Sequence, residues 1–229
     1  MVRSGLSSDW IGGPNHDNHL TRRRAKIMKN KCGWLTAVIM SLFLTGSLAH
    51  AGSVQLPQTG QTRCYDTAGT EISCTGTGQD GDIRAGVAWP VPRFMNNGDG
   101  TVTDRLTGLV WSQDAGTPTV GSCAGGYKTW YDALNYVTCL NSINYLGHSD
   151  WRLPNINELE SLINADEPNS AAWLIAQGFI SVQSGYYWSS SSYAGLTDYA
   201  WVVYMWNGYV FYYYKSNYGY YVWPVRSGQ

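Results

Sequence analysis

Two runs of alternating aromatic and β-branched residues, YAWVVYMW (199–206) and YVFYYYK (209–215), meet at Asn207-Gly208. This junction constrains the fold more than any other stretch. Asn-Gly readily takes the left-handed conformations of a tight hairpin turn, so the runs are expected to pair antiparallel. A two-residue turn sets Trp206 against Tyr209, Met205 against Val210, Tyr204 against Phe211, Val203 against Tyr212 and Val202 against Tyr213. Side chains alternate along a strand. One face then carries Trp201, Val203, Met205, Val210, Tyr212 and Tyr214, and the other Val202, Tyr204, Trp206, Tyr209, Phe211 and Tyr213. The second face is more aromatic and less aliphatic than a packed core needs. Tyrosine offers large contact area, few torsions and a polar tip, which is what recognition surfaces use. Ligand contacts are therefore expected from Tyr204, Trp206, Tyr209, Phe211 and Tyr213, with Asn217 and Tyr218 from the following loop. A sheet buried on both faces is the competing explanation.

Near the N-terminus, WLTAVIMSLFLT (34–45) is a 12-residue apolar run, preceded by Met28, Lys29 and Lys31 and followed by Ala49-His50-Ala51. It has the length of a signal-peptide core and is short for a membrane span. Residues 28–51 therefore read as a signal peptide cleaved after Ala51, with translation starting at Met28 and residues 1–27 an upstream extension; an uncleaved anchor is the alternative. Residues 1–51 hold seven of the 15 basic and two of the 16 acidic residues, so the remainder carries 8 against 14, net −6. An acidic exported chain, periplasmic, surface-bound or secreted, is disfavoured as a nucleic-acid binder. Its cysteines are Cys64, Cys74, Cys123 and Cys139. An even number in an oxidising compartment favours disulfides over a metal site, and only His148 is present to support zinc. Three pairings exist; Cys64 with Cys74 and Cys123 with Cys139 are favoured because each closes a local loop.

The rest of the chain divides by composition. Residues 52–62 are small and polar, a flexible leader. Residues 63–89 hold the first cysteine pair and form an expected stapled hairpin, and 90–229 form the main domain. TVTDRLTGLVW (101–111) reads as a hairpin around Thr107-Gly108. Two helices follow. One starts at a Thr129/Asp132 cap and buries Trp130, Ala133, Leu134, Val137 and Leu140. The other starts at an Asn155/Glu158 cap and buries Ile156, Leu159, Leu162 and Ile163. Further strands are expected at 186–193, 199–206, 209–215 and 220–226, giving an α+β fold of two helices on small antiparallel sheets.

Catalytic signatures are absent from the sequence: there is no Gly-x-Ser-x-Gly and no His-Glu-x-x-His. Gly76-x-Gly78-x-x-Gly81 lies in a polar loop without the strand and helix of a dinucleotide site. No cofactor is expected. Calcium has two sets of candidate ligands: Asn97, Asp99, Thr101 and Asp104 around a Gly-rich turn, and Glu167-Pro168-Asn169. Turn chemistry is the simpler reading of the first and chance of the second. Asp150, Trp151 and Arg152 are expected to serve structure, with Trp151 in the core alongside Trp111, Trp188, Trp201 and Trp223.

The ordered motifs NNGDGTVTDRLTGLVW (96–111), SDWRLPNINELESL (149–162), YYWSSSSY, AWVVYMWNG and VWPVRSGQ (222–229) resemble the Legionella collagen-like protein C-terminal domain family over about residues 64–229. The resemblance implies a C-type-lectin-like fold related to the formylglycine-generating enzyme, and roles in bacterial surface adhesion. It also implies kinship with targets of diversity-generating retroelements, whose variable regions the Tyr, Ser and Asn crowding of 186–221 is similar to. The family's namesake is trimeric and binds sulfated glycans. Here the sequence carries no Gly-X-Y run, and the C-terminal region offers only Lys215 and Arg226 as cations, so a neutral glycan or a protein suits the aromatic face better. The expected function is thus non-enzymatic recognition or adhesion. The alternatives are a structural envelope or homo-oligomerisation domain, and a copper or thiol oxidase of the formylglycine-generating type.

Overall fold

Strand-forming runs in this chain are short and interrupted by Gly, Asn and Asp, which favours several small sheets over one large one. A computed structural model describes residues 56–228. The expected extension 1–27, signal peptide 28–51 and first leader residues lie outside the described residues. Strands β1 (Cys64–Tyr65) and β2 (Glu71–Ile72) pair across a turn held by the Asp66 carboxylate, which accepts from the amides of Ala68 and Thr70 at 2.9 and 2.8 Å. The Cys64–Cys74 disulfide closes this hairpin, and α1 (Asp80–Ile83) follows it. Next come β3 (Phe94–Asn96), β4 (Thr101–Asp104) and β5 (Leu109–Ser112).

Helix α2 (Trp130–Ser142) starts where the Thr129 hydroxyl accepts from the Asp132 amide at 3.3 Å, and it buries Ala133, Tyr136, Val137 and Leu140. The Cys123–Cys139 disulfide ties it to the preceding loop. Helix α3 (Ile156–Glu160) has both halves of the Asn155/Glu158 capping box. It is shorter than its apolar stripe implied: Leu162 and Ile163 follow in a turn beyond the helix, where the Ser161 hydroxyl donates to the Glu158 carbonyl at 2.7 Å. The two expected helices are joined by two more, α1 and α4 (Ser170–Ala176). The signal for α4 was legible, since Asn169 caps it by accepting from the Ala172 amide. Strands β6 (Tyr186–Ser192), β7 (Tyr199–Tyr204) and β8 (Tyr209–Tyr214) match three expected runs. The fourth run is split. Pro224 has no N–H to give a ladder, and the chain crosses there from one sheet to another, so only β9 (Val225–Ser227) is a strand.

The described residues form three antiparallel sheets, ordered β1-β2, β3-β4-β5-β9 and β6-β7-β8. The β7–β8 register corrects the expected one: Tyr204 faces Tyr209, Val203 faces Val210 and Val202 faces Phe211. Met205 to Gly208 form a four-residue connection, in which the Gly208 amide donates to the Tyr204 carbonyl at 2.8 Å. Gly208 has φ +77° and lies so close to Ile163 that a Cβ would sit 2.7 Å from its Cγ2. The offset from expectation is two residues, an even number, so each side chain keeps its expected face.

Two cores flank the three-stranded sheet. One joins Phe94, Trp111, Leu159, Leu174, Phe179 and Trp223 to Tyr187 and Val203. The other joins α2, Trp151 and Leu153 to Trp188, Ala200 and Val202. Neighbouring residues of β7 therefore feed opposite cores, and burial of a valine such as Val202 or Val203 stabilises by about 1.5–3 kcal/mol. The sequence was apolar on both faces of the hairpin because both faces have a core beneath their inner end.

Candidate functional site

The sheet order leaves β8 at an edge, and its aromatic side chains emerge where the cores end. On one face, rings link into a continuous array. Tyr186 lies 4.7 Å from Tyr204 and 5.2 Å from both Tyr213 and Tyr220, measured between centroids. Tyr204 leads on to Trp206 at 6.2 Å, and Tyr213 leads to Tyr218 at 5.1 Å and Phe211 at 5.2 Å. Tyr209 stacks on Phe211 at 5.8 Å. Such offset and edge-on ring pairs hold one another in place beyond what area burial provides.

Of the expected aromatic residues, Tyr209, Trp206 and Tyr218 are the most open, at 53%, 46% and 44% exposed. Tyr204, Phe211 and Tyr213 are half-buried, so they support the surface as well as line it. Asn217 is exposed, and its side-chain oxygen accepts from the Ser216 hydroxyl at 2.7 Å. Tyr186 and Tyr220 were missed. They sit at the centre of the array, yet neither belongs to the 199–215 hairpin. Tyr186 arrives through its cross-strand partner Tyr204, and Tyr220 through the segment that runs beside β6.

The opposite face has a second ring cluster at its outer end. Tyr193 stacks on Tyr212 at 4.2 Å, Tyr199 meets Tyr214 at 3.9 Å, and Trp201 meets Tyr212 at 5.5 Å. Trp201 is only partly buried, unlike Trp111, Trp188 and Trp223, which are fully enclosed. Packed hydroxyls shift the phenols: Tyr213 beside it pushes Tyr186 up to about 12, and Tyr214 does the same to Tyr199. At neutral pH the surface is therefore uncharged. It can offer ring faces to C–H groups and hydroxyls to polar partners.

Charged residues are engaged elsewhere. Arg152 makes two 2.6 Å bonds to Glu158, and Arg226 meets Asp150 at 2.7 Å. The Arg152 amide also donates to the Val225 carbonyl at 2.8 Å. The Asp-Trp-Arg and Trp-Pro-Val-Arg segments thus form one structural clasp, in which Asp150 and Arg152 serve structure, as expected, by pairing with charged side chains. Trp151 is buried beneath it.

Within the Gly-rich turn, Asp99 accepts from the Thr101 amide and hydroxyl, and Asn97 donates to Thr101 and Thr103. Asp104 instead faces the guanidinium of Arg93. Asn169 is committed to capping α4, and the neighbouring Ser170 amide donates to the Trp206 carbonyl. Among the described residues, no group of three or more His, Cys, Asp or Glu is placed to hold a metal ion. A groove of about 480 Å³, lined by Leu56, Pro57, Trp89, Glu160 and Ile163 among others, contains a single carboxylate.

These features define a class: a disulfide-bonded α+β domain of small antiparallel sheets and short helices that displays a tyrosine-rich surface. The chain belongs to the Lcl C-terminal domain family, whose model matches residues 100–226. The match runs from the start of β4 into β9 and includes the whole aromatic surface, while the β1–β2 hairpin precedes it. No curated protein matches the chain. Both disulfides fit an oxidising, extracytoplasmic location.

Proposed function

We propose that the chain is an exported, non-enzymatic recognition domain of C-type-lectin-like fold that binds a neutral glycan or a protein outside the cell. The observation that carries this reading is the continuous ring array from Trp206 through Tyr204, Tyr186 and Tyr213 to Tyr218. An array of exposed, mutually braced rings recognises ligands at small entropic cost, because little freedom is lost on contact. The non-enzymatic reading is supported by four cysteines held in disulfides and by carboxylates already paired with arginine or backbone donors. The crowding of Tyr, Ser and Asn in 186–221 supports the further reading that this surface is varied by a diversity-generating retroelement; a near-copy template and a reverse transcriptase gene beside the coding sequence would establish it.

The test is binding to arrays of neutral glycans and surface proteins by the exported chain and by a Trp206→Ser, Tyr209→Ser, Tyr218→Ser variant. These three rings are the most open, so the variant should lose binding at least tenfold with its thermal midpoint nearly unchanged. Undiminished binding by a folded variant would reject the surface.

A further inference from the structure

Beyond ligand recognition, the open edge of β8 makes a second demand. The Lys215 amide donates to the Asp198 carbonyl at 2.9 Å, and the ladder continues with Ala200 opposite Tyr213 and Val202 opposite Phe211. Hydrogen-bonded pairs recur at every second residue of an antiparallel ladder. Phe211 and Tyr213 therefore aim their backbone groups at β7, while Val210, Tyr212 and Tyr214 aim theirs away from the sheet. No strand lies beyond β8 among the described residues. The other edge of this sheet is covered, since the Trp188 amide donates to the Tyr221 carbonyl and the Tyr221 amide to the Tyr186 carbonyl.

Natural edge strands are blunted by charge, proline or a bulge. Residues 209–214 contain none of the first two, and their pairing with β7 is regular throughout. Lys215 would be the natural guard, but its ammonium is turned inward. It donates to the Ser192 hydroxyl at 2.7 Å and the Thr197 carbonyl at 2.8 Å, and lies 4.3 Å from the Trp130 ring centre.

We propose that β8 pairs antiparallel with β8 of a second copy of this chain, joining two three-stranded sheets into one of six. The free groups select the register. Outward-facing residues must oppose outward-facing residues, which permits Tyr212 opposite Tyr212 of the second copy and forbids Phe211 opposite Tyr212. The Tyr212-centred register also places Val210 opposite Tyr214 and Phe211 opposite Tyr213, and sets Lys215 against Tyr209. No like charges meet, and every outward N–H and C=O of the three residues finds a partner on both copies. The ring arrays on each face then run on across the two-fold axis. The pairing stands whether or not the aromatic surface binds a ligand.

The exported chain, purified with both disulfides intact, is tested by sedimentation equilibrium together with amide hydrogen exchange. The expected result is a two-chain mass. The amides of Val210, Tyr212 and Tyr214 should be protected in the dimer and exchange rapidly on dilution to monomer. Tyr212→Lys and Tyr212→Glu should each be monomeric, because like charges then meet at the axis, and an equimolar mixture of the two should dimerise again. A single-chain mass from micromolar to millimolar concentration would overturn the proposal. So would a dimer or trimer that leaves those three amides unprotected, folded variants that fail to recombine, or protection of the edge only by an unrelated added peptide. If neither variant folds, exchange in the unmodified chain still decides.

Discussion

Arg93 and Asp104 are enclosed almost completely, with side chains 3% and 0% exposed, and they make paired bonds at 3.0 and 2.8 Å. Arg93 also donates to the Ser161 carbonyl at 2.6 Å and lies 4.4 Å from the Trp89 ring centre. Removing one partner of such a pair leaves an uncompensated buried charge. Asp104→Ala should lower unfolding free energy by about 3–5 kcal/mol in urea titration. Replacing both partners by apolar residues, Arg93→Met with Asp104→Leu, should cost less than the single change. The phenols give a second residue-scale prediction. Tyr186, Tyr199 and Tyr221 are pushed up to about 12, the first two by a neighbouring hydroxyl and Tyr221 by burial and then Tyr127. An unfolded tyrosine ionises at about 10. Above that pH the unfolded chain loses protons that the folded chain keeps, so stability should be full below pH 10 and fall as the pH rises through 12. Absorbance at the tyrosinate band should show these phenols ionising late, with loss of near-ultraviolet dichroism. A single ionisation midpoint near the ordinary value in a chain that stays folded would contradict the clustering.

At the scale of elements, caps and cysteine spacing were legible because they are local chemistry. Thr129 and Asn155 start their helices where expected, and both disulfides close the short loops that spacing favoured. The Cys123–Cys139 bridge spans 16 residues and anchors α2 to its leading loop. Replacing both cysteines by Ala should cost about 3 kcal/mol, read as a lower urea midpoint, with a steeper slope because the unfolded chain is released from its cross-link. Register was less legible. Asn207-Gly208 marked the hairpin, but Met205 is drawn into the first core and Gly208 is packed on Ile163, so the turn closes two residues earlier on β7 than a tight turn would. That decision is made by tertiary packing, which no turn dipeptide encodes. Tyr186 and Tyr220 escaped notice for the same reason. Their membership of the ring array depends on how β6 and the 220–222 segment pair, not on any pattern within their own runs.

Across the whole molecule, the three-stranded sheet has a core against each face, so the division between packing and display runs along the strands and outward to β8, not between one face and the other. The aromatic excess of the sequence, 17 of 32 rings within residues 186–223, therefore serves two ends: inner rings such as Trp188 and Trp223 build the cores, and outer rings such as Tyr209 and Tyr218 meet solvent. The crossing at Pro224 carries a consequence for biosynthesis. Strand β9 completes the four-stranded sheet beside β5, and Arg226 reaches back to Asp150. A chain that stops before Val225 lacks the strand that shields Trp111 and Trp223 and leaves the clasp unclosed. Such a fragment exposes its core to proteases, so a product truncated there is degraded where the folded domain is not.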